Sequence, residues 1–362
     1  MPTAERPVIG WDIGGAHVKA SLLRGGQVHD VAQWSCPLWQ QIEHLERVLQ
    51  AARARWAGDF DGACHAVTMT GEMVDLFANR EQGVRRIAAT VAALLPAQDD
   101  ALRFFAGDAG WASAAEVARH WRDIASANWL ATTRHAALKL PEGVLVDIGS
   151  TTTDLIAFSH GGVLTGSRSD AERLATGELV YHGVVRTPLC ALTQQIEWRG
   201  QTRQVMNEFF ATTADVYRLC NELNPAHVQQ PAADNAAKSL AATRQRLARM
   251  LGMDEGDASA EEWLSLARAW RAAQLDAIAA QLRRVLQSHA LSHDAVLVSA
   301  GCGAFLVPEL AAAVSESAPY RVVSYGAQVA SVAPDAAAGT TDWVQVCAPC
   351  VAVAALFERE RH

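Results

Sequence analysis

Apolar and polar positions alternate along the chain in blocks that predict strands and helices in turn. Residues 7–14 and 17–23 are short apolar runs, and "RGGQ" separates the second from a third strand predicted over 27–34. Helical spacing follows over 38–57, where apolar residues recur every three or four positions. Similar blocks continue to a terminal helix predicted over 346–360. Strands that alternate with helices predict an α/β fold.

The opening block recurs in the middle of the chain. "WDIGGAHVKASLL" and "VDIGSTTTDLI" align without gaps when Asp12 is set on Asp147, and each reads as a strand, an acid-x-glycine turn and a second strand. An internal repeat of this kind predicts two homologous halves. We place them at 1–138 and 139–362, with a helical insertion around 200–290 in the second half and a terminal helix that can pack back on the first.

The repeated turn has the chemistry of a phosphate site. A glycine lets the backbone approach a ligand without a Cβ in the way, and the amides and hydroxyls that follow can converge on a phosphate oxygen. An aspartate at a strand end can hold Mg²⁺ directly or through water. We therefore predict a polyphosphate clamp in which Asp12 and Asp147 are catalytic acids and metal ligands. A tight β-hairpin with an Asx turn is the alternative for either turn alone. The predicted phosphate-binding residues are Gly14, Gly15, Ala16, His17, Gly149, Ser150, Thr151 and Thr152.

Three other residues are candidates for catalysis or binding. Glu72 directly follows a predicted strand, where acids point into α/β clefts, and we predict a catalytic base; an acid near a helix N-terminus is the alternative. Arg80 and Arg186 are predicted substrate ligands, because arginine suits a bidentate grip on phosphate or carboxylate. A solvated helix face is the alternative for Arg80 and an inter-lobe salt bridge for Arg186.

Lys19 and Asp154 occupy equivalent positions in the two repeats. In a two-lobed protein they can face each other across the cleft, so both are predicted substrate ligands. A plain ion pair on a strand is the alternative reading of these two charges.

Composition narrows the classes of partner. The chain has 362 residues, a formal net charge of −8 and a pI near 5.8, which argues against nucleic-acid binding because that needs a basic footprint. We see no secretory signal and no apolar run long enough for a membrane helix. Seven scattered cysteines favour a reducing cytoplasm. Composition leaves a monomer and a homodimer open.

The repeated motifs carry a resemblance. They resemble the first and second phosphate loops of the superfamily of acetate and sugar kinases, heat-shock chaperones and actin. "VLVSAGCGAFL" resembles that superfamily's third, nucleoside-side glycine turn, here Gly301, Cys302 and Gly303. The resemblance implies a duplicated actin-like (ribonuclease H-like) fold with two lobes around a central cleft. His17 stands where the first loop commonly has Ser or Thr, so ATP binding is left open.

A closer resemblance rests on several motifs together. "TGEMVDLFANREQGVRRI", "ASANWLATTRHAA", "VDIGSTTTDLI" and "TGELVYHGVVRTPLCAL" resemble the hydantoinase/oxoprolinase-like proteins of the tetrahydromethanopterin-linked one-carbon pathway. This implies a transferase of methanofuran- or methylofuran-type cofactor biosynthesis. The phenol oxygen of a (glutamyl)tyramine or tyrosine acceptor would attack the methylene of an aminomethyl-furan methyl diphosphate, and diphosphate would leave.

The same resemblance suggests one more substrate ligand, and two other functions remain as alternatives. It adds Asn128 as a substrate ligand, and Mg²⁺ is inferred from the paired acids and the expected diphosphate. An ATP-dependent small-molecule kinase or ATPase of the same superfamily is the alternative function. A nucleotide-gated binding module is a third reading.

Overall fold

The computed structural model describes residues 6–95, 101–315 and 318–361. The chain divides into two compact units, and each is discontinuous in sequence, whereas two continuous lobes are expected from the sequence. The first unit is Met1–Leu145, Ile156–Asp170 and Val323–His362, and the second is Val146–Leu155 and Ala171–Val322.

Strands and helices alternate along the described chain. The strands are β1 Val8–Ile13, β2 His17–Arg24, β3 Gln27–Ser35, β4 Cys64–Met69, β5 Leu102–Phe105, β6 Trp111–Ala112, β7 Glu142–Ile148, β8 Thr153–Ser159, β9 Gly162–Val163, β10 Leu179–Val180, β11 Gln195–Trp198, β12 Gln201–Gln204, β13 Val296–Ala300 and β14 Arg321–Ser324. The α-helices are α1 Glu43–Arg55, α2 Arg80–Leu94, α3 Trp121–Ile124, α4 Asn128–Ala137, α5 Asp170–Thr176, α6 Leu189–Leu192, α7 Thr213–Leu219, α8 Leu240–Arg249, α9 Ala260–Ser288, α10 Val307–Ala313, α11 Thr340–Val346 and α12 Ala348–Glu360.

A six-stranded sheet with the order β3-β2-β1-β4-β5-β6 forms the centre of the first unit. Strands β1 to β3 are antiparallel neighbours, and β1, β4 and β5 are parallel to one another. Every residue of β1 and β4 is buried, as expected for strands covered on both faces. Loops that leave the ends of parallel strands are the usual place for ligand sites in such sheets, and the turn after β1 and Glu72 after β4 lie there.

The C-terminal helix α12 packs on β1 in the same unit. A Cβ on Gly10 would lie 2.7 Å from the Cβ of Ala354, so the helix approaches the strand more closely than any side chain would permit. No single helix of the described residues is both long and apolar enough to cross a membrane, although α11 and α12, bent by 94°, meet that test as a pair.

A second sheet has the order β10-β8-β7-β13-β14, with β9 paired to β8 in part of its length. The duplication is visible in its register. Leu23 pairs with Val28 across the β2–β3 hairpin, and Phe158 pairs with Val163 across the β8–β9 hairpin, at the same offset of 135 positions that aligns the two acid-x-glycine turns. The prediction of a duplicated α/β fold is therefore confirmed.

The second unit also contains the helices α7, α8 and α9, which share an apolar core. Trp263 and Trp270 on α9 and Leu247 on α8 are fully buried there. One predicted helix begins later than expected. The helix expected over 38–57 is α1, because the amide of Leu38 donates to the carbonyl of Gly15 at 3.0 Å and ties that segment to the first turn.

Candidate active-site elements in each unit

The first acid-x-glycine turn joins β1 to β2. Asp12 lies near the end of β1 with 5% of its surface exposed, and the Gly14 amide donates to the His17 carbonyl at 3.0 Å. A Cβ on Gly14 would lie 2.8 Å from that carbonyl, so only glycine fits this turn without strain. The turn is thus the tight hairpin that the sequence allows, and its phosphate role stays a prediction.

The second turn joins β7 to β8 and rests on a neighbouring segment of the second unit. The Gly149 amide donates to the Thr152 carbonyl at 2.8 Å, which closes the turn. The Ser150 carbonyl accepts hydrogen bonds from the amides of Val185 at 3.1 Å and Arg186 at 2.8 Å. These bonds fix the main chain of the serine–threonine loop, so its hydroxyl groups project from a rigid support.

Gly183 and Arg186 complete the surroundings of this loop. A Cβ on Gly183 would lie 2.6 Å from the Ser150 carbonyl oxygen and closer still to the Thr151 amide nitrogen, so the two segments touch through their main chains. The Arg186 guanidinium donates to the Thr151 hydroxyl at 3.4 Å. Burial lowers the pKa of Arg186, and an anionic ligand would offset that cost.

The glycine turn after β13 closes on the acid of the same loop. Gly301 has a φ of +83°, and a Cβ there would lie 2.5 Å from the Asp147 carboxylate. The Gly303 amide donates to the Ile148 carbonyl at 2.8 Å. The structure therefore brings together all the residues predicted in this unit for phosphate and nucleoside contact.

Asp12 and Asp147 each suit a magnesium ion that takes most of its other ligands from a bound phosphate and water. Asp12 and Asp147 are both buried near the ends of equivalent strands. Among residues 6–95, 101–315 and 318–361 there is no group of three His, Cys, Asp or Glu side chains that could hold a metal ion. Mg²⁺ commonly takes one or two carboxylates together with phosphate oxygens and water, so a single acid beside a phosphate turn suits it.

Glu72 lies in a cluster of charged residues in the first unit. It sits on a single 3₁₀ turn, Gly71–Met73, directly after β4, and its side chain has no exposed surface. A Cβ on Gly83 would lie 2.7 Å from the Cα of Glu72, so α2 presses on this turn. The Ser126 hydroxyl lies 2.7 Å from Glu72 Oε1 and 3.2 Å from Asp170 Oδ2.

Arg80 supplies the positive charge of this cluster. Its Nη2 lies 3.4 Å from Glu72 Oε1 and 3.9 Å from Asp170 Oδ2. Burial raises the pKa of Glu72, while the Ser126 hydrogen bond and the Arg80 charge partly oppose that rise. Two residues predicted independently, Glu72 and Arg80, are therefore neighbours, and burial favours the protonated form of the glutamic acid.

Three predicted substrate ligands have structural contacts. The Lys19 ammonium donates to the Val346 carbonyl at 3.2 Å, and Asp154 pairs with Arg173, so each charge has a partner within its own unit. This matches the plain ion-pair reading for Asp154 rather than a pairing with Lys19. The Asn128 side chain accepts a hydrogen bond from the amide that follows it, at the start of α4.

The residues that sequence reasoning missed are Ser126, Asp170 and Gly183. Ser126 stands two positions before Asn128 in "SANWLAT", and Gly183 stands in the same motif as Arg186, so proximity to a predicted ligand is the only signal they carry. The φ of +52° at Ser126 has no trace in the sequence. Asp170 belongs to none of the motifs.

The fold and the three turns define the class. The duplicated sheets and acid-x-glycine turns are those of the actin-like fold. The structure aligns with the nucleotide-free structure of an acetone carboxylase with a TM-score of 0.57 and 10% identity, over 96% of this chain and 70% of that one, which shows the fold alone. The family model described as hydantoinase/oxoprolinase matches residues 63–340, and the chain belongs to this family.

Two curated relatives are more specific. A protein of Methanocaldococcus jannaschii named (4-{4-[2-(γ-L-glutamylamino)ethyl]phenoxymethyl}furan-2-yl)methanamine synthase is 29% identical over 263 residues, which are 72% of this chain and 76% of that protein. A protein of Methanococcus vannielii with the same name is 27% identical over 195 residues, 53% of this chain and 86% of that one. The predicted family is confirmed.

Proposed function

We propose that this chain is the ether-forming transferase of a methanofuran-type cofactor pathway. The observation that carries the proposal is the similarity, over 72% of the chain, to a synthase whose named product is a phenoxymethyl-furan. In the proposed reaction the oxygen of a phenol forms a bond to the furan-bearing methylene carbon. The bond from that carbon to diphosphate breaks, and the phenolic proton passes to a base.

The second unit supports the proposal with a site for the leaving group. Diphosphate gains negative charge as its bond to carbon breaks, and donors placed on its oxygens are commonly the largest catalytic contribution. The hydroxyls of Ser150, Thr151 and Thr152 are such donors, and the guanidinium of Arg186, on the neighbouring segment, is another. Mg²⁺ held by Asp147 in this unit would neutralise charge on the diphosphate oxygens.

The first unit supports the proposal with a proton acceptor. A phenol has a pKa of about 10, so its attack gains from a base that takes the proton as the new bond forms. The carboxyl groups of Glu72 and Asp170 are the acids that the described part of this unit gathers around one serine and one arginine. We assign the base to this cluster.

The direct test is a product assay. The purified protein is incubated with Mg²⁺, aminomethyl-furan methyl diphosphate and, in separate reactions, tyramine, γ-glutamyltyramine and tyrosine. Release of diphosphate together with the ether mass is the expected result, and the rates rank the three acceptors. Absence of ether product with every acceptor would refute the proposed function.

An ATP-dependent kinase or ATPase is the second candidate. The observation that favours it is the Gly301 turn, which packs on Asp147 at the position of a nucleoside-side turn. Titration calorimetry with Mg²⁺ separates the two functions. Diphosphate binding without ATP turnover supports the transferase, whereas micromolar ATP binding with release of ADP supports the kinase.

The proposal also places the protein in the cytoplasm with small-molecule substrates. All seven cysteines are free thiols, which suits a reducing compartment. Four of them, including Cys36 and Cys350, are buried. Gel filtration of the purified chain decides between the monomer and the homodimer that composition leaves open.

A further inference from the structure

Ser126 lies between two acids that bear on the proton transfer in the proposed reaction. Its hydroxyl lies within hydrogen-bond distance of two carboxyl groups, 2.7 Å from Glu72 Oε1 and 3.2 Å from Asp170 Oδ2. A serine hydroxyl has one proton to donate, and an ionised carboxylate can only accept. One hydroxyl proton cannot serve both acids fully, and a protonated Glu72 would supply the second hydrogen bond.

Burial indicates that Glu72, rather than Asp170, is the protonated acid. The Glu72 side chain is 0% exposed and the Asp170 side chain is 19% exposed, so ionisation costs more at Glu72. Glu72 Oε2 has no hydrogen-bond partner among the residues that the structure describes, and an unpaired buried oxygen is far less costly on a neutral acid than on a carboxylate. A protonated Glu72 can donate to the Ser126 hydroxyl, which can then donate to the Asp170 carboxyl group, with the Arg80 charge beside both acids.

The same burial separates the roles of the two acids. The Glu72 side chain has no exposed surface, whereas those of Asp170 and Arg80 are 19% and 28% exposed and open to a substrate. We propose that Asp170 is the catalytic base that accepts the phenolic proton, and that Glu72 is a protonated positioning residue that holds Asp170 through Ser126. This inference rests on the proposed function, and it assigns the base to Asp170 instead of Glu72, the residue that the sequence suggests.

Every bond, electron pair and proton of the proposed step has a destination. The phenol oxygen bonds to the furan methylene carbon, the electron pair of the carbon–oxygen bond leaves with diphosphate, and the phenolic proton goes to the Asp170 carboxylate. Water then takes that proton and restores the cluster. Glu72 keeps its proton throughout, so its neutral amide analogue should serve nearly as well.

The experiment compares Asp170→Asn with Glu72→Gln in the ether-forming assay. Loss of a general base lowers kcat by about 10²–10⁴-fold, and we expect Asp170→Asn to fall in that range with the KM for the diphosphate ester little changed. Glu72→Gln keeps a donor for Ser126 and should stay within about tenfold of wild type. Glu172→Gln, an exposed change of the same charge on α5, is the matched control and should equal wild type.

The pH profile tests the positioning role. Ser126→Ala removes the hydrogen bond to the Asp170 carboxyl group, so the acid limb of kcat/KM should move to higher pH. Hydrogen bonds to charged groups are strong enough to move it by about one to two pH units. An acid limb that stays in place in this variant would refute the link through Ser126.

A measurement without turnover separates this inference from the proposed function. We expect a protonated carboxyl band in the infrared spectrum at neutral pH, present in wild type and Glu172→Gln and absent from Glu72→Gln. Loss of ether formation in Glu72→Gln with activity retained in Asp170→Asn would make Glu72 the base and overturn the inference. Wild-type protein that shows the band but forms no ether refutes the function alone.

Discussion

Gly183→Ala tests the proposed phosphate-binding role of the serine–threonine loop. Gly183 has ordinary backbone geometry, so the substitution brings no φ strain, and its whole effect comes from space. The new Cβ would lie 2.6 Å from the Ser150 carbonyl oxygen, about 0.8 Å short of the 3.4 Å at which ordinary contact begins. The atoms in the way are main chain, which cannot rotate aside as a side chain can. The loop must move.

The cost follows from this displacement. Overpacking of this size typically lowers the free energy of unfolding by about 1–3 kcal/mol. The Ser150 carbonyl also accepts from Val185 and Arg186, so the shift disturbs the support of the loop and the aim of the arginine together. Loss of one hydrogen bond to a charged ligand costs about 1.5–3 kcal/mol, which weakens diphosphate binding about 10- to 100-fold.

Titration calorimetry with Mg²⁺ and diphosphate measures the binding, and urea unfolding measures the stability. Gly256→Ala is the matched control, because that glycine is also in the second unit, is exposed and has no atom within 4 Å of the position that a Cβ would take. It should behave as wild type in both assays. If Gly183→Ala binds diphosphate within twofold of wild type, the serine–threonine loop does not contact the ligand and the phosphate assignment is wrong.

Three further changes test single parts of the structure. Arg186→Lys keeps the charge but loses the planar fork, so diphosphate affinity should fall about tenfold by calorimetry with the melting temperature unchanged. Burial lowers the pKa of His65 from 6.5 to about 4, so the unfolded state binds more protons between these values. Stability should be full above pH 6.5 and fall toward pH 4, by about 3 kcal/mol in urea unfolding, with the loss reduced in His65→Gln. Gly10→Ala should destabilise the fold by about 1–3 kcal/mol, because the strand meets the main chain at Cys350, whereas Gly58→Ala, with open space around it, should not.

The sequence predicts the fold well where the fold depends on a local turn. The acid-x-glycine motif carries its own geometry, because a glycine is required within a few residues of the acid and the hydroxyls follow directly. The repeat then predicts the second copy of the strand–turn–strand unit, and the structure contains it at the same register. The neighbouring glycine turn at Gly301 could be predicted for the same reason.

The same reasoning fails where the arrangement depends on distant segments. Ser126 and Asp170 are 54 and 98 positions after Glu72, and neither stands in an acid-x-glycine motif. Only the packing of three separate loops makes them neighbours. The burial of Glu72 is equally invisible, since an acid after a strand can point into solvent or into the core. For this reason the sequence predicts Glu72 as a base without showing that its side chain is buried.

The two copies of the turn differ in chemistry, and that difference leads us to expect different roles. The first turn continues as Gly15, Ala16 and His17, without a hydroxyl, and its carbonyls at Gly15 and Ala16 accept amides from the segment after β3. The second continues through Ser150, Thr151 and Thr152 and is backed by an arginine. Hydroxyl and guanidinium donors favour an anion far more than an apolar turn does. The duplicated fold therefore supplies two similar supports, and we expect the second to contribute more to phosphate binding.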